Sequence, residues 1–263
     1  MHADLFDRYH HGESPVHRLE PRVKVVLTVV FIVSNALLPD GAWLAFGIAW
    51  LFVLAVNLLA RLGMGFSLKR SFVALPFALA AISSIFTLHG EPLAEWKFFS
   101  WTLIPTDAGL LRFASILIRS WLSVQAAILL VAVTTFPDLI HALEHLRVPR
   151  ILTTVIAFLY RYLFVLTDEV LRLMRARQAR SAATPNRRAG GSLGWRAKVA
   201  GNMTGQLFLR SYERSDRIYN AMVARGYAGH MRTLNPHEMK SKDYFATAMA
   251  VAIIFILQIL GRL

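Results

Sequence analysis

The sequence predicts an all-α integral membrane protein with about five transmembrane helices and a cytoplasmic helical segment between the fourth and the fifth. Two observations carry that prediction. Hydrophobic residues fill 56% of the 263 positions and mean hydropathy is +0.46, too apolar for a disordered chain and high for a water-soluble domain of this length. Of the formal net charge of +13, ten units fall between Thr167 and Lys242, where fifteen Lys and Arg face five Asp and Glu. A polybasic stretch beside membrane spans is what the positive-inside rule and anionic headgroups lead one to expect of a cytoplasmic loop. No nucleic-acid-binding module surrounds it, so the charge points to the lipid bilayer and not to nucleic acid. The absence of cysteine excludes a disulfide scaffold.

The elements follow in order. Residues 1–22 carry four acids, three arginines and four histidines with no apolar run, so they read as a cytoplasmic N-terminal segment and not as a cleavable signal. Residues 23–135 hold four spans. The first apolar run, Val23–Leu38, ends at Pro39-Asp40-Gly41, whose breaker chemistry predicts a tight turn into the second, Ala42–Leu62. The third, Phe72–Leu88, contains Pro76, which a membrane helix tolerates when neighbours satisfy the freed carbonyl. The fourth runs from about Leu111 to Thr135; its Arg112 and Arg119 are costly in lipid and should face protein or snorkel outward. Residues 136–242 read as a cytoplasmic or interfacial helical domain, and residues 243–263 as the fifth span, apolar from Tyr244 to Leu260. Within the domain, Ile151–Leu166 is apolar for 16 residues but holds Arg161, so it is expected to pack on the bundle or lie at the interface, with a sixth span as the alternative.

Loop charge sets the orientation. Arg61, Lys69 and Arg70 lie between spans two and three, whereas His89–Gly109 holds Glu91, Glu95 and Asp107 against Lys97. Five spans then place the N-terminus in the cytoplasm and Leu263 outside.

The basic domain is helix-patterned around a polar linker at Ala183–Gly194. Beyond the linker, Phe208, Tyr212, Tyr219 and Met222 recur at helical spacing, and Glu213 and Arg217 stand i, i+4 in the favourable order. Two short sequences within the domain are alike: Arg177-Gln178-Ala179-Arg180-Ser181 and Met222-Val223-Ala224-Arg225-Gly226. Each places a small residue, an arginine and another small residue where a helix is expected to end. Alanine permits close approach to a partner, arginine at the negative end of the dipole can fork onto a carboxylate, and Gly226 can take the left-handed cap conformation.

Those motifs sit in longer stretches, TTFPDLIHALEHLRVPRILTTVIAFLYRYLFVLTDEVLRLMRARQARS (Thr134–Ser181), AMVARGYAG (Ala221–Gly229) and HRLEPRVK (His17–Lys24). Together they resemble the transmembrane coupling subunit of energy-coupling factor transporters, and SPVHRLEPRVK and FDRY are similar to the cobalt and nickel branch of that family. The resemblance implies coupling helices between the fourth and fifth spans. It implies partners as well: a pair of ABC-type ATPases and a separate substrate-capturing membrane subunit, in a bacterial or archaeal plasma membrane. ATP would be used on the ATPase chains, with no cofactor on this one. By match, Ala179, Arg180 and Ser181 would form the first ATPase-coupling motif and Ala224, Arg225 and Gly226 the second, Ser181 departing from the stricter Gly of the family.

Other chemistry has less support. No phosphate-cradling G-x-x-x-x-G-K-[ST] loop occurs, and Gly190, Gly191 and Gly194 read as a flexible linker. His141-Ala-Leu-Glu144-His145 spells the H-x-x-E-H of inverted zinc peptidases, but Glu213 and Glu238 lie in basic stretches and make poor third ligands. Histidines 2, 10, 11 and 17 could collect cobalt, nickel or zinc, although the predicted topology puts them on the exit side of an importer. No nucleophile elbow or intramembrane carboxylate pair is present, so no catalytic residue and no metal ligand is assigned. The alternatives are a membrane metallopeptidase and a secondary transporter working alone.

Overall fold

The first helix, α1 (Pro21–Ala36), starts at a proline, which suits a first turn because its missing N–H would be unsatisfied there anyway. The computed structural model describes residues 9–10, 12–87, 96–98, 101–103, 106–180, 192–229 and 239–262. After α1 come α2 (Trp43–Leu59), α3 (Met64–Arg70), a 3-10 turn at Ser71–Ala74, α4 (Leu75–Ala81) and α5 (Ser84–Thr87). A two-stranded antiparallel hairpin follows, β1 (Trp96–Phe98) against β2 (Trp101–Leu103). Five helices complete the order: α6 (Asp107–Val133), α7 (Phe136–His145), α8 (Arg150–Arg180), α9 (Leu193–Ala224) and α10 (Ser241–Leu260). The chain divides into two units, residues 7–146 with 236–263, and residues 147–235.

In the first unit α6 is the hub, packing on α1, α2, α3, α4 and α5. Its 27 residues span roughly 40 Å. Thr106 caps it, the hydroxyl accepting from the Gly109 N–H at 3.2 Å. A Cβ on Gly109 would stand 2.6 Å from the Ile85 carbonyl oxygen, so glycine is required where α5 closes on α6. The core unites Phe31, Phe46, Val53, Leu122, Leu129, Ile254 and Leu257 from α1, α2, α6 and α10. Ala45 and Ala49 on α2 are almost fully buried, and small residues let helices approach closely where no hydrophobic driving force operates. Polar side chains add ties: the Gln258 amide donates to the Ser34 carbonyl and hydroxyl, each at 2.6 Å, and the Asn35 amide to the Arg119 carbonyl at 2.9 Å. The outer faces are apolar and open, with Val33, Leu44, Leu51, Val131 and Phe255 all exposed. Such surface is a liability in water and ordinary against acyl chains.

Among the described residues three helices, α6, α8 and α10, are long and apolar enough to cross a membrane by length and composition, α8 containing the Ile151–Leu166 run for which a sixth span is the alternative, while α2 is apolar but shorter. Spans one, two, four and five of the sequence reading correspond to α1, α2, α6 and α10. The third run departs from expectation: Phe72–Leu88 is not one helix but the 3-10 turn, α4 and α5 in succession, with Leu88 outside the described residues. Pro76 stands in the first turn of α4, where it ends the preceding element because its ring excludes an interior helical hydrogen bond. Further on, the Ser83 and Ser84 hydroxyls donate to the carbonyls of Ala80 and Ala81, competing with helix continuation.

Arg119 faces protein. Its guanidinium meets the Asp40 carboxylate at 2.6 Å in the turn after α1, and the Gly41 N–H donates to Ser115 at 3.0 Å in the same turn. The short turn is thus held on α6 by a charge pair and a hydrogen bond.

In the second unit α8 and α9 run 31 and 32 residues, roughly 46 and 48 Å. α8 runs without interruption through Asp168-Glu169, and Glu169 is ion-paired there with arginine. Ser192 caps α9, accepting from the Trp195 N–H at 3.3 Å, so the helix takes Leu193 and Gly194 from the end of the expected linker. Residues 181–191 of that linker lie outside the described residues.

Candidate functional site

The candidate site is the helix pair of the second unit and its two ends. α8 and α9 meet at Glu169, which is buried and ion-paired with Arg210 of α9. Arg172, one turn along α8, adds a second guanidinium at 3.7 Å from the same carboxylate. A charge-assisted bond to a shielded carboxylate is among the stronger polar contacts available, and here it fixes where the two helices touch. To one side of the tie, the first turns of α8 and the last turns of α9 flank a groove of about 580 Å³. Ile151, Val155 and Phe158 face Ile218, Tyr219 and Met222 across it, with Arg214 at its edge.

The ends of the pair are where the two arginine motifs stand. Ala179 and Arg180 are the last described residues of α8 and both are exposed; Ser181 lies outside the described residues. Ala224 ends α9, with Arg225 as its exposed C-cap. The Tyr227 N–H returns to the Met222 carbonyl at 3.0 Å and the Gly226 N–H to Val223 at 2.9 Å, a Schellman closure with Gly226 at φ +82°. No atom lies within 4 Å of a Cβ built on Gly226, so the backbone angle and not the available space calls for glycine there.

Arg180 lies eleven residues beyond Glu169 and Arg225 fifteen beyond Arg210, roughly 16 and 22 Å along their helices. Because the groove joins the start of α8 to the end of α9, the two arginines lie on opposite sides of the tie. The fold holds them apart as two separate, solvent-facing positive points.

The remaining candidates are distributed differently. His141 and His145 stack edge to face on α7 with ring centroids 4.5 Å apart. Among the described residues no group of three His, Cys, Asp or Glu side chains is arranged to hold a metal ion. His17 is engaged at both ring nitrogens, with the Ser14 hydroxyl at 2.6 Å and the His10 carbonyl at 2.9 Å; His2 and His11 lie outside the described residues. The aromatic stripe of α9 is split: Tyr219 and Met222 line the groove, whereas Phe208 and Tyr212 stay 67% and 68% exposed. Sequence reasoning missed the Glu169–Arg210 tie. The available signal was a pair of adjacent acids, Asp168 and Glu169, in a helix-patterned segment of net charge +10, where cationic partners abound.

Fold and site define a polytopic helical membrane protein bearing a separate pair of long, basic, amphipathic helices. The chain belongs to the CbiQ cobalt transport protein family, whose model matches residues 12–235. Over 97% of its length it is 27% identical to the energy-coupling factor transporter transmembrane protein EcfT of Clostridium kluyveri, covering 96% of that protein. It is 28% identical to the protein of the same name from Acidaminococcus fermentans, over 95% of this chain and 93% of that one. An uncharacterized protein of Methanocaldococcus jannaschii is 26% identical over 98% of this chain and 87% of its own. The family resemblance drawn from the sequence, a transmembrane subunit of the energy-coupling factor type, therefore stands.

Proposed function

We propose that this chain is the energy-coupling subunit of an ATP-driven importer of cobalt or nickel ions. It would transmit movement from two ABC-type ATPases to a separate substrate-capturing membrane subunit. Ala179, Arg180 and Ser181 dock one ATPase; Ala224, Arg225 and Gly226 dock the other. ATP is bound and hydrolysed on those partners, and this chain contributes no catalytic residue. The N-terminus lies in the cytoplasm of a bacterial or archaeal cell, and the α8–α9 unit lies in the cytoplasm or along its membrane interface, as the charge of the loops favours.

One observation carries this reading: two exposed arginines at the ends of two long helices that are locked together near their middles. Each arginine sits at the negative end of a helix dipole, where it fits a partner carboxylate. Because the ion pair at Glu169 and Arg210 makes the helices a single lever, a closing motion between two docked ATPases would be delivered to the groove and to α8 as one displacement.

The test is recovery of ATPases with the purified full-length chain from cells co-expressing both. The Arg180→Glu, Arg225→Glu variant should lose them while remaining inserted and helical. Truncating one partner of a desolvated charge pair costs about 2–5 kcal/mol, roughly 30-fold or more in affinity. Undiminished recovery and transport in the variant would refute the docking assignment.

A further inference from the structure

The first unit contains an open cavity of about 870 Å³ lined by α1, α2, α6, α10 and the segment before α1. It falls within the roughly 300–1,000 Å³ range of small-molecule sites. Its depth is apolar, with Phe31, Phe52, Val56, Leu129 and Met249 among the walls. At its mouth stand Arg61, Lys240 and Lys242, all exposed. Among the described residues none of these three meets a carboxylate within ion-pairing distance.

The acidic groups at the cavity are already engaged. Glu13 pairs with Arg18 at 3.2 Å. The Asp243 carboxylate accepts from the backbone N–H of Lys240 at 2.8 Å and of Glu20 at 3.2 Å. The Lys24 ammonium, also at the cavity, is satisfied by the carbonyls of His17 and Val133 at 3.2 and 2.9 Å. Arg61 itself occupies a left-handed position, φ +55°, closing α2 by the same Schellman pattern that uses glycine after α9. Glycine is unstrained at such a position, so Arg61→Gly removes the side chain without disturbing the backbone.

We propose that this cavity is a binding site for an anionic phospholipid, with acyl chain between the four helices and phosphate on Arg61, Lys240 and Lys242. Apolar depth and a cationic mouth match the two ends of that molecule, and juxtamembrane cations attract anionic lipid headgroups. The site is independent of ATPase docking, since none of its residues belongs to α8 or α9.

The test is native mass spectrometry of the full-length chain in mild detergent with equal amounts of phosphatidylglycerol and phosphatidylcholine. Wild type is expected to retain phosphatidylglycerol at least tenfold over phosphatidylcholine. Arg61→Gly should weaken that preference severalfold with no loss of helicity, because glycine accepts the backbone angle. Adding Lys240→Gln and Lys242→Gln should bring it to within twofold of unity. Removing the same number of charges elsewhere, as Arg175→Gln, Lys198→Gln and Arg217→Gln, should leave it intact. Equal retention of both lipids by wild type would overturn the proposal, as would equal loss in the charge-matched control. Displacement of the lipid by millimolar inorganic phosphate would also overturn it, marking a site for a free anion.

Discussion

Glu169 of α8 and Arg210 of α9, 41 residues apart in sequence, form an ion pair in which the carboxylate is nearly enclosed and the guanidinium half open. This asymmetry sets its energetics. Losing the carboxylate leaves Arg210 and Arg172 facing each other but able to turn to water, so the cost stays near that of one charge-assisted bond, about 1.5–3 kcal/mol. Glu169→Ala is therefore expected to loosen α9 against α8, seen as faster amide hydrogen exchange from about residue 203 to 222. The exchanged pair Glu169→Arg, Arg210→Glu should recover part of that protection. An unchanged exchange pattern in Glu169→Ala would show that apolar contacts across the groove hold the pair by themselves.

Gly226 is required for its backbone angle. With φ at +82° and nothing near a built Cβ, alanine would fit in space yet adopt an unfavourable conformation, at roughly 1–2 kcal/mol. Gly226→Ala should fray the last turn of α9, raising exchange at Ala224–Tyr227 and leaving the rest of the helix protected. If Arg225 docks an ATPase, recovery of that partner should fall in Gly226→Ala by less than in Arg225→Glu, because the charge survives while its placement loosens.

Asp243 serves two helix starts at once. It takes the N–H groups of Lys240 and Glu20, the residues preceding α10 and α1, and an anion there opposes the positive ends of both dipoles. Since the carboxylate is buried, Asp243→Ala orphans two donors, at about 1–3 kcal/mol for each that water cannot reach. The expected result is a thermal transition several degrees lower, with Asp243→Asn intermediate. A melting temperature within a degree of wild type for Asp243→Ala would mean that water replaces the side chain.

How much of this was legible in the sequence depends on how local its cause is. The apolar runs of α1, α2, α6 and α10 and the breaker after α1 are local, and the helices end within a few residues of them. Gly226 announces its own cap. The third run looked continuous because hydropathy does not register what Pro76, Ser83 and Ser84 do to backbone hydrogen bonds. The apolar run Ile151–Leu166 shows only the first half of α8, because the charged half beyond Asp168-Glu169 leaves no hydropathy signal and the Arg210 that pairs with Glu169 lies 41 residues on. Likewise, Arg119 could be expected to face protein, but its partner Asp40 lies 79 residues away. The aromatic stripe of α9 had the right period, yet only tertiary contact decides that Tyr219 lines a groove while Phe208 stays open.

His17 should make the segment before α1 sensitive to acid. Burial lowers its pKa below the ordinary 6.5, with Lys24 and His10 adding repulsion and the bond to the His10 carbonyl opposing them. The folded state thus binds fewer protons than the unfolded one between the two values. Stability is complete above about pH 6.5 and is lost as pH falls through that value toward the lower folded one. In the neutral ring, Nε2–H donates to His10 and Nδ1 accepts from Ser14; a proton on Nδ1 would turn that acceptor into a donor. Wild type is expected to melt lower at about pH 5.5 than at about pH 7.5, and the gap should narrow in His17→Gln, which cannot titrate. Only the side chain at position 17 differs between the two proteins, so the difference between the two gaps isolates His17. Parallel curves would assign the acid sensitivity elsewhere.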